Sequence, residues 1–139
     1  MIEGVVVVAA VLVVATIFGL WHRRRDGAVR TMGDGGDERP ALVGADLGVE
    51  LGARATLVQF SSAFCQPCRA VRGRLAHVAD QVDGVRHVEI DAERNLDLVR
   101  RLGIVKTPTT LVLDGAGRIV ARASGVPSLD DVHAALPAT

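Results

Sequence analysis

The sequence predicts an α/β domain, a mixed β-sheet flanked by helices, preceded by one N-terminal transmembrane helix. Three observations predict it. An uncharged apolar run fills Gly4 to Trp21. From Ala55 onward, short β-branched stretches alternate with stretches whose apolar residues recur every three or four positions, the periods of strand and helix. The only two cysteines, Cys65 and Cys68, stand where one such strand gives way to a helix.

Composition sets the outer limits. At 139 residues the chain fits one domain and an appendage. Its 49% hydrophobic content overstates the core, because much of it lies in the N-terminal run. Without the first forty positions, about a hundred residues remain, enough for one compact core. Sixteen basic residues balance sixteen acidic ones. No global field therefore points to nucleic acid or to an acidic substrate. Lys106 is the only lysine among the basic residues. Two cysteines exclude a disulfide-rich scaffold; a lone C-x-x-C pair is more often chemistry than a staple.

Gly4 to Trp21 is rich in Val, Ala, Leu and Ile and carries no polar stripe. As a helix those residues span roughly 27 Å, close to the hydrocarbon thickness of a bilayer. Trp21 and His22 stand where an interfacial anchor is expected. A cleaved signal peptide would need positive charge before the run and small residues after it. Here only Glu3 precedes it, and Arg23, Arg24 and Arg25 follow. Residues 1–22 are thus assigned to a single-pass anchor in the lipid bilayer. The arginines predict that the C-terminal domain faces the cytoplasm; the extracytoplasmic face is the alternative.

Residues 23–40 are assigned to a flexible linker. From Asp26 to Pro40, glycines alternate with Asp, Glu and Arg, leaving almost nothing to bury. Such a tether would let the domain move tens of ångströms from the bilayer. The domain itself is assigned to residues 41–139. Its entry, Ala41 to Gly52, is expected only to pack on the domain edge.

Ala55 to Phe60 reads as a central strand. Ser61, Ser62 and Ala63 make a turn. Gln66 to about Gln81 is a helix carried by Val71, Leu75, Val78 and Val82, and Gly84 ends it. Val85 to Ile90 is the next strand. Glu93 to Leu102 reads as a helix closed by Gly103. Thr109 to Leu113 and Arg118 to Ala123 form a hairpin around Asp114-Gly115-Ala116-Gly117. Ser128 caps a last helix, with Asp130 and Asp131 in its first turn and Leu129, Val132 and Leu136 turned inward. A strand–helix–strand crossover requires a parallel pair, and the closing hairpin is antiparallel.

The chemistry concentrates at Cys65 and Cys68. A thiolate is the nucleophile of disulfide exchange, and a helix N-terminus stabilises it through partial positive charge and free N–H groups. Cys65 is expected there, exposed and attacking. Cys68, three positions on, shares its helical face and is expected to be more buried and resolving. Pro67 suits the first helical turn, where its missing N–H is not needed. Arg69 and Arg72 add positive charge. A structural zinc site would need four ligands, and His77, His87 and His133 are scattered. A purely structural disulfide closing so short a loop gains little. No metal and no cofactor is therefore expected.

Phe64-Cys65-Gln66-Pro67-Cys68-Arg69 after an apolar strand, with Lys106-Thr107-Pro108-Thr109 about forty residues on, resembles the thioredoxin superfamily. The resemblance covers roughly Ala53 to Leu136. The anchor and short entry segment resemble the membrane-anchored thioredoxin-like proteins of actinobacteria. The resemblance implies a cis Pro108 beside the cysteines, with Thr107 offering its backbone to an extended substrate. Phe64, Gln66, Pro67, Thr107 and Pro108 become the expected substrate-binding residues. The chain departs from the family pattern at Phe64 and Gln66, where Trp and Gly are usual, and at Gln59, where a buried carboxylate is usual. Glutamine cannot act as a base. His87, on a neighbouring strand, and Arg69 join Gln59 as residues expected to tune the pair.

The expectation is thus a membrane-tethered thiol–disulfide oxidoreductase acting on protein disulfides. It holds no nucleotide-binding Gly-x-Gly-x-x-Gly. Electrons are expected from another protein, such as a thioredoxin reductase or a membrane redox protein. The alternative is a non-turnover binding module that captures partner segments at Pro108.

Overall fold

A computed structural model of the chain describes residues 1–31, 42 and 44–138. Helix α1 spans Ile2–Arg25, and none of its residues is buried. It runs a turn past His22, with Arg23, Arg24 and Arg25 in its last turn, where cations favour the helix dipole. The Arg25 guanidinium lies 3.9 Å from the Trp21 ring centroid.

Among the described residues the sheet has five strands: β1 (Val29–Thr31), β2 (Ala55–Ser61), β3 (Val85–Asp91), β4 (Thr109–Asp114) and β5 (Ile119–Ser124), in the spatial order β1-β5-β4-β2-β3. Only β2 and β3 run parallel, joined through helix α3 (Gln66–Gln81). The other neighbours are antiparallel. The mixed sheet read from the sequence is therefore present, with one strand more.

That extra strand corrects the linker expected over 23–40. Arg23 to Arg25 remain helical, and Val29, Arg30 and Thr31 pair with Ala123, Arg122 and Ala121 at the sheet edge. Gly27 N–H donates to Ser124 O at 2.6 Å, and Lys106 Nζ meets Asp26 Oδ1 at 2.8 Å. Gly27 holds a φ of +85°, and a side chain there would run into the Val126 carbonyl. The rest of the expected linker, 32–40, lies outside the described residues.

Alternation along β2 builds two cores. Val58 and Phe60 face one side, where Leu42, Leu47, Leu98, Leu102, Leu111 and Ile119 join them. Helices α2 (Gly44–Leu47) and α4 (Leu96–Leu102) supply that layer. Ala55 and Leu57 face the other side with Val71, Leu75 and Val78 of α3 and Val132 of α5 (Leu129–Ala135). Leu42 is fully buried and its N–H donates to Gly117 O, so the entry segment joins the core instead of resting on the edge.

The second expected helix begins at Leu96, not Glu93. Asp91 is the reason. Its carboxylate accepts from Glu93 N–H at 2.9 Å, and its carbonyl accepts from Asn95 Nδ2 at 2.9 Å. These local bonds fold 91–95 into a turn before the helix starts. Gly103 closes α4 in the left-handed conformation, and the Ser128 side chain caps α5 by accepting from Asp131 N–H, both as the sequence predicts. Leu129, expected inward, is 37% exposed.

Candidate active site

The end of β2 delivers the cysteines. Ser61 is its last residue, residues 62–64 turn, and Cys65 is the N-cap of α3 with extended backbone angles. Gln66 and Pro67 open the helix, which has no acidic residue in its first turn. The free N–H groups there act on Cys65 without a competing carboxylate. The two sulfurs form a disulfide of 1.99 Å, with Cα atoms 5.3 Å apart. Cys68 is 2% exposed, Cys65 is partly exposed, and Phe64 beside it is fully exposed. The difference in exposure expected of the two cysteines is present. Arg69 and Gln66 flank Cys65 along a shallow surface groove.

The cis Thr107–Pro108 bond lies at the same pole. Pro108 precedes Thr109, which pairs with Phe60 on one side and Ser124 on the other. Several bonds fasten this loop. Ser62 Oγ and Thr107 Oγ1 are 3.0 Å apart, Thr109 Oγ1 donates to Lys106 O at 2.6 Å, and Gly125 N–H donates to Pro108 O at 2.9 Å. Ser62 was not legible as a site residue, because a serine in a turn gives no distinguishing signal. Here it joins the loop leading to Cys65 to the residue before Pro108.

Gln59 is fully buried beneath Cys68. Its Nε2 donates to Cys68 O at 2.9 Å and to Ser61 Oγ at 3.0 Å. Its Oε1 lies 3.0 Å from His87 Nε2. An amide oxygen only accepts, so His87 must carry its proton on Nε2. Burial holds His87 below the ordinary imidazole value; Glu89 opposes this and Arg72 adds to it. His87 therefore reaches the cysteine pair through Gln59, not by direct contact. The Nε2 facing the site is a donor in this arrangement, and so does not serve as the acceptor of a thiol proton.

Arg72 does not stand free at the helix N-terminus. Its Nε and Nη2 grip the two carboxylate oxygens of Glu89 at 2.5 and 2.7 Å. The positive charge expected from it near Cys65 is largely spent on that pair, which leaves Arg69.

The thioredoxin family model matches residues 46–138. This chain belongs to the thioredoxin family. It is 28% identical over 72 residues to thioredoxin 1 of Nostoc sp. (strain PCC 7120), an alignment covering 51% of this chain and 67% of that protein. Its fold is similar to that of a mutant thioredoxin from Halobacterium salinarum, with a TM-score of 0.55 and 22% identity over 60% of this chain and 72% of the other. It is also similar to spinach chloroplast thioredoxin f, with a TM-score of 0.53 and 24% identity over 60% and 74% of the two chains. The family and the paired cysteines together support thiol–disulfide exchange at Cys65 and Cys68.

Proposed function

We propose that this protein is a membrane-tethered thiol–disulfide oxidoreductase that reduces protein disulfides. One observation carries the reading: an accessible Cys65 at the N-cap of α3, disulfide-bonded to a buried Cys68. In the reduced form, the Cys65 thiolate attacks one sulfur of a substrate disulfide. That S–S bond breaks, the other substrate sulfur leaves as a thiolate, and a mixed disulfide forms. The Cys68 thiolate then attacks Cys65 Sγ. The mixed disulfide breaks and the Cys65–Cys68 bond forms. Two electrons pass to the substrate, whose thiolates take up protons from water.

Phe64, Gln66, Pro67, Thr107 and Pro108 contact the substrate in this reading. Thr107 presents its backbone to an extended segment. Arg69 tunes Cys65 through its charge; Gln59 and His87 tune Cys68 through its carbonyl. A protein reductant, a thioredoxin reductase or a membrane redox protein, reduces the resulting disulfide. Helix α1 is long and apolar enough to span a bilayer. The arginines at its end favour a cytoplasmic domain, which suits reduction.

Cys68→Ser in the full-length, membrane-inserted protein tests the reaction. Turnover should cease and partners should accumulate as mixed disulfides released by reductant. Sustained turnover by this variant would sink the resolving role. Undiminished partner capture after replacing both cysteines would instead identify a binding module. An impermeant maleimide, applied with impermeant reductant to intact and lysed cells, tests the topology. Labelling only after lysis is the cytoplasmic result.

A further inference from the structure

The membrane helix ends at the redox pole of the sheet. Gly27 N–H binds Ser124 O, and the next residue, Gly125, donates from its own N–H to Pro108 O. Asp26 also pairs with Lys106, one residue before Thr107. Two residues, at most about 7 Å of chain, carry Arg25 to Gly27. The helix beyond Trp21 adds only about 6 Å more. No part of α1 is buried, so it projects from this pole and does not fold back over the domain.

The same pole exposes large apolar side chains. Phe64, next to Cys65, is 100% exposed, and Val105, two residues before Thr107, is 92% exposed. Leu96 is largely exposed beside the groove that Val105 and Thr107 line. Phe64 lines the groove at Cys65, and Leu96 and Val105 line the groove at Thr107, so both grooves at this pole carry exposed apolar side chains. The tether that leaves from this end indicates which surface lies beside them. An aromatic ring and aliphatic side chains beside a bilayer-spanning helix, with arginines at its exit, fit the membrane–water interface.

We infer that the domain stands with its Cys65–Pro108 pole turned to the bilayer, Val105 and Leu96 at the lipid headgroups and Phe64 beside them on the substrate side, and that it exchanges disulfides with proteins whose cysteines lie at the membrane surface. This rests on α1 spanning the bilayer as proposed above. It replaces a loosely tethered domain searching a wide volume with one whose reach is confined to the interface.

Quenching of tryptophan by brominated lipids tests it, using the full-length protein in vesicles. Trp21 is the only tryptophan. Its quenching in the unmodified protein reports insertion of α1. In a Trp21→Phe background, Phe64→Trp places the probe at the redox pole, and Ala116→Trp places it in the exposed β4–β5 turn at the opposite end. The indole at position 64 should be quenched several-fold more strongly than that at 116. Quenching of Trp21 with equal or no quenching at both test positions overturns the orientation and leaves the tether intact. No quenching of Trp21 overturns the tether and the orientation together.

Discussion

The side-chain amide of Gln59 donates to the carbonyl of Cys68 at 2.9 Å, from a position fully closed to solvent. The same amide serves Ser61 and accepts from His87, so one side chain satisfies three neighbours. Replacing it with an apolar residue leaves those groups without it. Gln59→Leu should destabilise the oxidised protein by about 2–4 kcal/mol. His87→Gln keeps a donor within reach and should cost less than about 1.5 kcal/mol. Denaturant melts of both variants check the contrast. Equal losses would show that the network carries little of the stability here.

His87 gives that network a pH dependence. Burial depresses its pKa in the folded protein below 6.5, so the unfolded chain binds its proton first as pH falls. Stability from this group is complete above 6.5 and is lost as pH drops through the folded value. Asp114 acts lower on the scale. Burial would raise it, but N–H groups of Arg118 and Ala116 and the Arg118 charge outweigh burial and hold it below 3.8. Its contribution is present above 3.8 and disappears below. Melting across pH should show two separate declines, and His87→Gln should remove the upper one alone.

Arg69 and Arg72 occupy neighbouring turns of α3, yet only Arg72 is held by Glu89. Alkylation of the reduced protein at neutral pH should therefore slow in Arg69→Ala and change little in Arg72→Ala. Arg72→Ala should also leave the denaturation midpoint nearly unchanged, because its pair is half-exposed and screened by solvent. The idea fails if the two variants slow alkylation equally.

Local chemistry explains what could be read in advance. Cys65-Gln66-Pro67-Cys68 lies between a mostly apolar strand and a helix with a clear apolar stripe, and each signal is complete within about ten residues. Gly103, Ser128 and the Asp114 turn are equally local. The features that escaped depend on distant partners. Val29-Arg30-Thr31 is too short to read as a strand and gains its identity from β5, some ninety positions on. Leu42 looks peripheral until Gly117 and the α4 layer close over it. His87 could be placed on a strand beside Gln59, but its bond to that amide depends on the β2–β3 register, which pairs Leu57 with His87 and Gln59 with Glu89. The partner of Arg72 is likewise remote in sequence, because Glu89 belongs to β3.

Gly27 is where the entry to the domain can be broken by one methyl group. Its φ is +85°, and an added Cβ would collide with the backbone of Val126. Gly27→Ala should cost about 1–2 kcal/mol from the backbone angle alone, before the collision is counted. Because Gly27 precedes β1 and is bonded to Ser124, the loss should fall on the β1–β5 edge. Amide exchange should accelerate at Val29 to Thr31 and at the facing positions of β5, while β2 and β3 keep their protection. The cysteine pair should still form its disulfide, since α3 and β2 are untouched. Unchanged exchange along β1 would show that the clamp tolerates the methyl group, and that residues 26–28 hold the domain by the Asp26–Lys106 pair instead.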